Sequence, residues 1–211
     1  MTIQLGDTAP DFTAETTDGR LSLHNYLGDS WGVLFSHPAD FTPVCTTELG
    51  EFARRKDDFA ARNAKLIGVS VDSVESHHGW SADIAETQGH ALNYPLVGDE
   101  DRSVANLYGM IHPKAIETAT VRTVFIIGPD KKVKLTLTYP ANVGRNVDEI
   151  IRVLDALQLS YQYAVSTPVN WTDGADVIIS PAVSDDDAKE RFPKGFTILK
   201  PYLRLTPQPN R

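Results

Sequence analysis

The chain has one cysteine, Cys45, set in Pro38-Ala39-Asp40-Phe41-Thr42-Pro43-Val44-Cys45-Thr46-Thr47-Glu48. A thiol acts as a nucleophile through its thiolate, so the useful question is what at this address favours ionisation. Thr42 is a good helix N-cap residue and Pro43 suits the first helical position, which predicts Cys45 in the first turn of a helix. A first turn offers unpaired backbone N–H groups and the positive end of the helix dipole, and both stabilise a thiolate. Cysteines so placed can drop from a pKa of about 8.5 to roughly 3.5–7.5. A lone cysteine is more often a small buried hydrophobe. The loop-to-helix setting reverses that preference here.

One cysteine cannot close a disulfide within the chain, nor supply a cysteine zinc cluster. Any redox cycle at Cys45 must therefore be completed by an external reductant.

The elements that must position this residue are readable from apolar periodicity. Gly32 to His37 is a short apolar run suited to a buried strand, and Pro43 to Asn63 carries Leu49, Phe52, Phe59 and Ala60 near helical spacing, predicting one long amphipathic helix. An N-terminal hairpin turns at Thr17-Asp18-Gly19-Arg20, and Lys65 to Asp72 reads as a second buried strand. Ser73 to Gly89 has helical character, Leu92 to Val97 suits a short strand and Arg102 to Met110 a short helix. Val121 to Ile127 and Lys132 to Thr138 form a hairpin through Gly128-Pro129-Asp130-Lys131, and Asn146 to Leu159 is a further helix. This order describes an α/β fold, a sheet with helices on both faces. After residue 160 the pattern weakens and prolines become frequent; a boundary is expected near residue 165, giving domains 1–165 and 166–211, with Ser184-Asp185-Asp186-Asp187 capping a short helix.

Composition excludes some classes. The 211 residues are 41% hydrophobic and 23% charged, ordinary for a globular protein. The net charge of -8 and the lack of a basic stripe argue against a nucleic-acid partner. No apolar run is long enough to span a bilayer and no signal-like segment opens the chain, so a cytoplasmic location without membrane insertion is expected.

The pattern Pro38-x3-Thr42-x2-Cys45 resembles the active-site signature of the peroxiredoxins, in the alkyl hydroperoxide reductase/thiol-specific antioxidant superfamily. The likeness covers nearly the whole chain and is nearest to the one-cysteine, peroxiredoxin-six-like subfamily. Ser36-His37-Pro38, Tyr139-Pro140-Ala141, Gly144-Arg145-Asn146, Thr167-Pro168-Val169-Asn170-Trp171, Phe192-Pro193-Lys194-Gly195 and Tyr202-Leu203-Arg204 carry it. The resemblance implies a thioredoxin-like fold, with a central mixed sheet flanked by helices, the N-terminal hairpin and a small C-terminal extension that helps build a homodimer or higher oligomer. It implies a thiol-dependent peroxidase, acting on hydrogen peroxide and organic hydroperoxides, that serves antioxidant defence.

Within that resemblance Cys45 is the residue oxidised to sulfenic acid, Thr42 and nearby backbone amides hold the peroxide oxygens, Pro38 shields the pocket and Arg122 completes the site. His37, Val44, Glu48 and Arg145 are supporting residues: His37 near the pocket mouth, Arg145 as an electrostatic helper, and Glu48 to orient Arg122 or Arg145. An external thiol or other small reductant regenerates Cys45, and oxidation beyond sulfenic acid inactivates it. No cofactor or metal is implied.

Two rival readings come from other classes. Gly28-Asp29-Ser30-Trp31-Gly32 matches the Gly-x-Ser-x-Gly hydrolase pattern, although here the serine precedes a strand where a nucleophile elbow follows one. Some members of the subfamily are associated with phospholipase A2 activity, for which Ser30, His24 and Asp130 match the proposed triad. A thioredoxin-fold binding or holdase protein is the non-enzymatic reading, and it predicts no rapid oxidation of Cys45. His77-His78 and the separated His24, His90 and His112 lack ligand spacing, so packed or solvated histidines are the expectation.

Overall fold

A computed structural model describes residues 3–211. The chain divides into two units, Met1–Val147 and Asp148–Arg211.

The first unit is built on β3, Trp31–Ser36, all six residues of which are buried. A strand covered on both faces reads as a continuous apolar run, which is why WGVLFS shows no alternation. It pairs in parallel with β4, Ala64–Ser70, and antiparallel with β6, Arg122–Ile127. With β1 (Thr13–Thr16), β2 (Gly19–Ser22), β5 (Leu96–Gly98) and β7 (Val133–Tyr139) the mixed sheet has the order β2-β1-β5-β4-β3-β6-β7.

One apolar cluster of the sheet gathers Leu34, Ile67, Val69, Val97, Phe125 and Ile127 with Leu23 and Leu27 of α1 (Leu23–Leu27) and Val104 and Ala105 of α5 (Ser103–Leu107). Side chains alternate along a strand, so Phe35 points the other way and stacks on Phe52 of α2, Pro43–Arg54, with ring centroids 4.2 Å apart. Helix α2 lies close to α4, Val74–Gln88, at Gly50, where a Cβ would come within 2.4 Å of the Gln88 Cβ. A side chain at residue 50 would lever the cysteine-bearing helix off its neighbour. Helix α4 begins at Ser73, whose hydroxyl accepts the Ser76 N–H, and ends at Gly89 with φ +76°, as its sequence predicts.

The single helix expected over 43–63 is two. Arg55, at φ -93° and ψ 10°, leaves helical geometry between α2 and α3, Lys56–Ala60. The break lets Phe59 enter the core beside Phe52, with ring centroids 6.1 Å apart. Periodicity alone does not register such a break, because the apolar spacing continues across it.

The second unit contains α6 (Val147–Gln162) from its second residue on, β8 (Val165–Ser166), β9 (Val177–Ile179), α7 (Asp185–Arg191), β10 (Thr197–Lys200) and β11 (Leu203–Thr206). Its strands form an antiparallel sheet, β10-β11-β9-β8, absent from the sequence reading, which expected one short helix here. That helix is α7, capped by Ser184 on the Asp187 N–H at 3.1 Å. Leu159, Val165, Trp171, Val177, Ile179, Val183, Ala188 and Phe192 make its core.

Candidate active site

Thr42 has the extended backbone of an N-cap, and Pro43 opens α2 where its missing N–H costs nothing. The Thr42 hydroxyl makes no cap bond. It donates to the Ala39 carbonyl at 2.8 Å, closing the turn that leads into the helix. This corrects the expected side-chain cap: the geometry is a cap, but the hydroxyl serves the loop. A hydroxyl already donating can only accept from a further partner. Thr42 is therefore prepared to receive an O–H, and the first-turn amides of α2 are not occupied by its oxygen.

Cys45 follows one turn in and has no exposed surface. Its Sγ lies 3.3 Å from Nη1 of Arg122. Arg122 opens β6, and its position is set by the end of β3: the Ser36 hydroxyl donates to the Val121 carbonyl at 2.6 Å and accepts the Thr123 N–H at 3.1 Å. Each nitrogen of the Arg122 guanidinium is bonded. Nε and Nη2 donate to the Ala141 carbonyl at 2.9 and 2.6 Å, and Nη1 donates to Glu48 Oε2 at 2.6 Å.

Glu48, one turn beyond Cys45 on α2, holds both arginines. Arg145 donates to it from Nε at 2.9 Å, from Nη2 at 2.7 Å and from its backbone N–H at 2.7 Å. Arg145 also donates to the Thr123 carbonyl at 3.2 Å, and its guanidinium lies 5.2 Å from the Phe35 ring centre. Burial alone would push the Glu48 carboxyl up; the charge and hydrogen bonds of Arg145, with the charge of Arg122, outweigh it and hold the group below its ordinary range. Two cations and one carboxylate leave the buried cluster one positive charge in excess, beside a sulfur that becomes anionic by losing a proton. Excluding water strengthens that attraction.

His37, fully buried at the end of β3, sets Nε2 2.8 Å from Asp40 Oδ1, while its Nδ1 has no hydrogen-bond partner among the described residues. Burial lowers its pKa, against the opposing hydrogen bond and charge of Asp40. Pro38 is buried in the loop, and Val44 is half-buried on α2 beside Gly144, where a Cβ would come within 3.4 Å of Val44 Cγ1.

The AhpC/TSA family matches residues 5–136, and the C-terminal domain of 1-Cys peroxiredoxin matches residues 156–195. A 1-Cys peroxiredoxin of Dictyostelium discoideum is 54% identical over 99% of this chain and 87% of its own length. Peroxiredoxin-6 of Mus musculus is 53% identical over 97% of each chain. The crystal structure of the C45S mutant of peroxiredoxin 6 of Arenicola marina superposes with a TM-score of 0.92 at 46% identity, covering 99% of this chain and 100% of that one. The chain belongs to the 1-Cys peroxiredoxins of the AhpC/TSA family.

In this peroxiredoxin the structure brings Thr42, Cys45, Glu48, Arg122 and Arg145 to the start of α2. It does not join the three hydrolase candidates. The Ser30 hydroxyl donates to Asn63 Oδ1 at 2.8 Å, His24 Nε2 lies 2.8 Å from the Ala9 carbonyl, and Asp130 accepts from Lys134 at 2.6 Å. Lys131 of the same hairpin loop reaches the Gly28 carbonyl, so the loop lies against the Gly28 turn, but each triad member is bonded elsewhere. Ser30 serves the turn into β3, and its hydroxyl is bonded to an amide oxygen and to no base among the described residues.

Sequence reasoning missed Asp40, Ser76 and His77. Asp40 Oδ2 receives His77 Nδ1 at 2.7 Å and the Ser76 hydroxyl at 2.8 Å. His77 is buried, but its partners are 36 residues or more away in this cluster apart from its neighbour Ser76, and no local spacing announces them. The carbonyl of Ala141, which fixes the Arg122 fork, is a backbone contact with no side-chain signal.

Proposed function

We propose that this chain is a thiol-dependent peroxidase in which Cys45 reduces hydrogen peroxide and organic hydroperoxides. The observation that carries this reading is the Arg122 Nη1 to Cys45 Sγ contact of 3.3 Å within a buried cluster of excess positive charge.

The Cys45 thiolate attacks the terminal oxygen of ROOH. An S–O bond forms, the O–O bond breaks, sulfur is oxidised to the sulfenic acid, and the leaving RO⁻ takes a proton to give water or an alcohol. Thr42 accepts the peroxide O–H and so orients it. The α2 amides and Arg122 face charge moving from sulfur to the departing oxygen, the part of the reaction that fixed donors accelerate most. Two equivalents of an external thiol return the sulfenic acid to thiol, releasing water and a disulfide. A yeast mitochondrial 1-Cys peroxiredoxin, 50% identical with a TM-score of 0.91, is described as resolved via glutathione/thioredoxin systems, which supports a low-molecular-weight thiol or a dithiol protein as reductant here.

We assign a homodimer to the same reading. Ile198, Leu199 and Tyr202 of the C-terminal unit are all more than half exposed, a surface that a second copy would cover. Stopped-flow mixing of reduced protein with hydrogen peroxide, followed by mass measurement for one added oxygen at Cys45, tests the activity. Oxidation no faster than that of a free thiol overturns it.

A further inference from the structure

The loop from β3 to α2 is anchored by a side chain that the reaction does not use. Asp40 is buried, and its carboxylate receives His37 Nε2 on one oxygen and His77 Nδ1 and the Ser76 hydroxyl on the other, at 2.7–2.8 Å. Its backbone N–H donates to Asp72 Oδ2 at 3.0 Å, and that oxygen also accepts the Ser70 hydroxyl at 2.7 Å. One residue thus ties together the end of β3, the end of β4 and the first turn of α4.

The loop needs such an anchor. Phe41, next in sequence, has φ +53°, a left-handed conformation that is strained for a bulky side chain. Phe41 is 58% exposed, and its ring lies against that of Trp80, with 6.1 Å between centroids. On the other side of Asp40 is Ala39, whose carbonyl holds the Thr42 hydroxyl. A shift of Asp40 would therefore move both the strained residue and the acceptor that sets the Thr42 rotamer.

The hydrogen atoms in this cluster can be assigned. Burial pushes the Asp40 carboxyl up, but the hydrogen bonds and charges of the two histidines outweigh it and hold it well below the usual carboxylate range. An ionised carboxylate only accepts, so His37 donates from Nε2 and His77 from Nδ1. The same two nitrogens and the carboxylate form the one His/Asp set dense enough to ligate a metal among the described residues, all within 4.8 Å. Their 2.7–2.8 Å separations are those of hydrogen bonds, which already satisfy the set.

We propose that Asp40 is a positioning residue for peroxide reduction, its carboxylate clamping the Ala39–Thr42 turn so that the Thr42 hydroxyl meets the peroxide O–H. This rests on the peroxidase reading. Asp40 acts on where the peroxide sits and not on the reactivity of the sulfur, which belongs to Arg122, bonded to Cys45, Glu48 and the Ala141 carbonyl.

That separation gives the test. Asp40→Asn keeps the volume but offers one acceptor oxygen and places an NH₂ against a donor. Stopped-flow oxidation by hydrogen peroxide and alkylation by iodoacetamide are measured on wild type and variant at the same pH. Misplacement of a substrate by about 1 Å costs on the order of 100-fold, so peroxide oxidation should fall about 10- to 100-fold while alkylation stays within about twofold. Unchanged oxidation, or equal losses in both reactions, overturns the proposal. If Asp40→Asn does not fold, Ser76→Ala removes one of the three donors and should slow oxidation alone by about two- to fivefold; an unaltered peroxide rate there overturns it equally. Slow oxidation of the wild type itself would instead overturn the peroxidase reading.

Discussion

Replacing Arg122 with Met isolates the cation beside the sulfur. At an effective dielectric of about 20, unit charges 3.3 Å apart attract by about 5 kcal/mol, which is an upper bound. The guanidinium charge is spread over three nitrogens, and the one facing Sγ also donates to Glu48 at 2.6 Å, which cancels much of that field. A hydrogen bond to a charged partner, worth about 1.5–3 kcal/mol, is therefore the better measure of what the sulfur loses. At about 1.4 kcal/mol per decade this predicts peroxide oxidation slower by about 10- to 150-fold.

The fold should tolerate the change, because Glu48 keeps its three bonds to Arg145 and neither is left as a lone buried charge. Arg122→Lys separates charge from geometry. An ammonium restores the cation but has one nitrogen, so it cannot bond the Ala141 carbonyl as Nε and Nη2 do while also holding Glu48 and Sγ as Nη1 does, and it should recover only part of the rate. The assay is the second-order rate of oxidation by stopped flow, with a urea midpoint for each variant to establish that it is folded. A folded Arg122→Met protein that reacts at the wild-type rate would refute the argument, since no other cation is bonded to the sulfur among the described residues.

Glu48→Gln leaves two buried guanidinium groups without their shared carboxylate and turns an NH₂ toward their donors; a stability loss of about 3–5 kcal/mol is expected from urea denaturation. His37 predicts a pH dependence. Its folded pKa lies below the ordinary 6.5, so as pH falls through 6.5 the unfolded chain takes up the proton first and stability declines, until the folded-state pKa is passed. Urea midpoints from pH 7.5 downward should show this slope, and His37→Gln should lose it. With excess peroxide and no thiol, Cys45 should gain a second oxygen by mass, and Arg122→Met should accumulate less of that product at equal sulfenic acid.

The parts of this protein that can be read along the chain are those with local causes. Thr42, Pro43 and Cys45 mark a helix start through residue types three positions apart, and the all-apolar β3 marks a buried strand. Glu48 was expected to orient one arginine or the other; it is bonded to both, because Arg122 at the start of β6 and Arg145 beyond the end of β7 meet at the open end of the hairpin, and no linear pattern encodes that meeting. The second sheet escaped detection for a different reason. Its strands are two to four residues long, and the four residues of β10 are all exposed, so neither alternation nor an apolar run develops. The Asp40 clamp joins residues 37 apart, and a buried aspartate there reads in sequence as an ordinary loop acid.

The charges around Cys45 also explain why a single cysteine needs its reductant promptly. With the thiolate present, two guanidinium groups face two anions and the buried cluster is neutral. Oxidation to sulfenic acid removes the negative charge from sulfur, and the cluster regains one uncompensated cation, a state that burial makes costly. Reduction by a thiol relieves it by restoring the thiolate. A second peroxide relieves it as well, because the sulfinic acid ionises readily and its anion occupies the same field. The arginines that favour the first oxidation therefore favour the second, and nothing in the cluster distinguishes the two. In a protein with a partner cysteine nearby, disulfide formation would withdraw the sulfenic acid. Here only the arrival of an external thiol can, so the protection of Cys45 is a matter of relative rates and not of the fold.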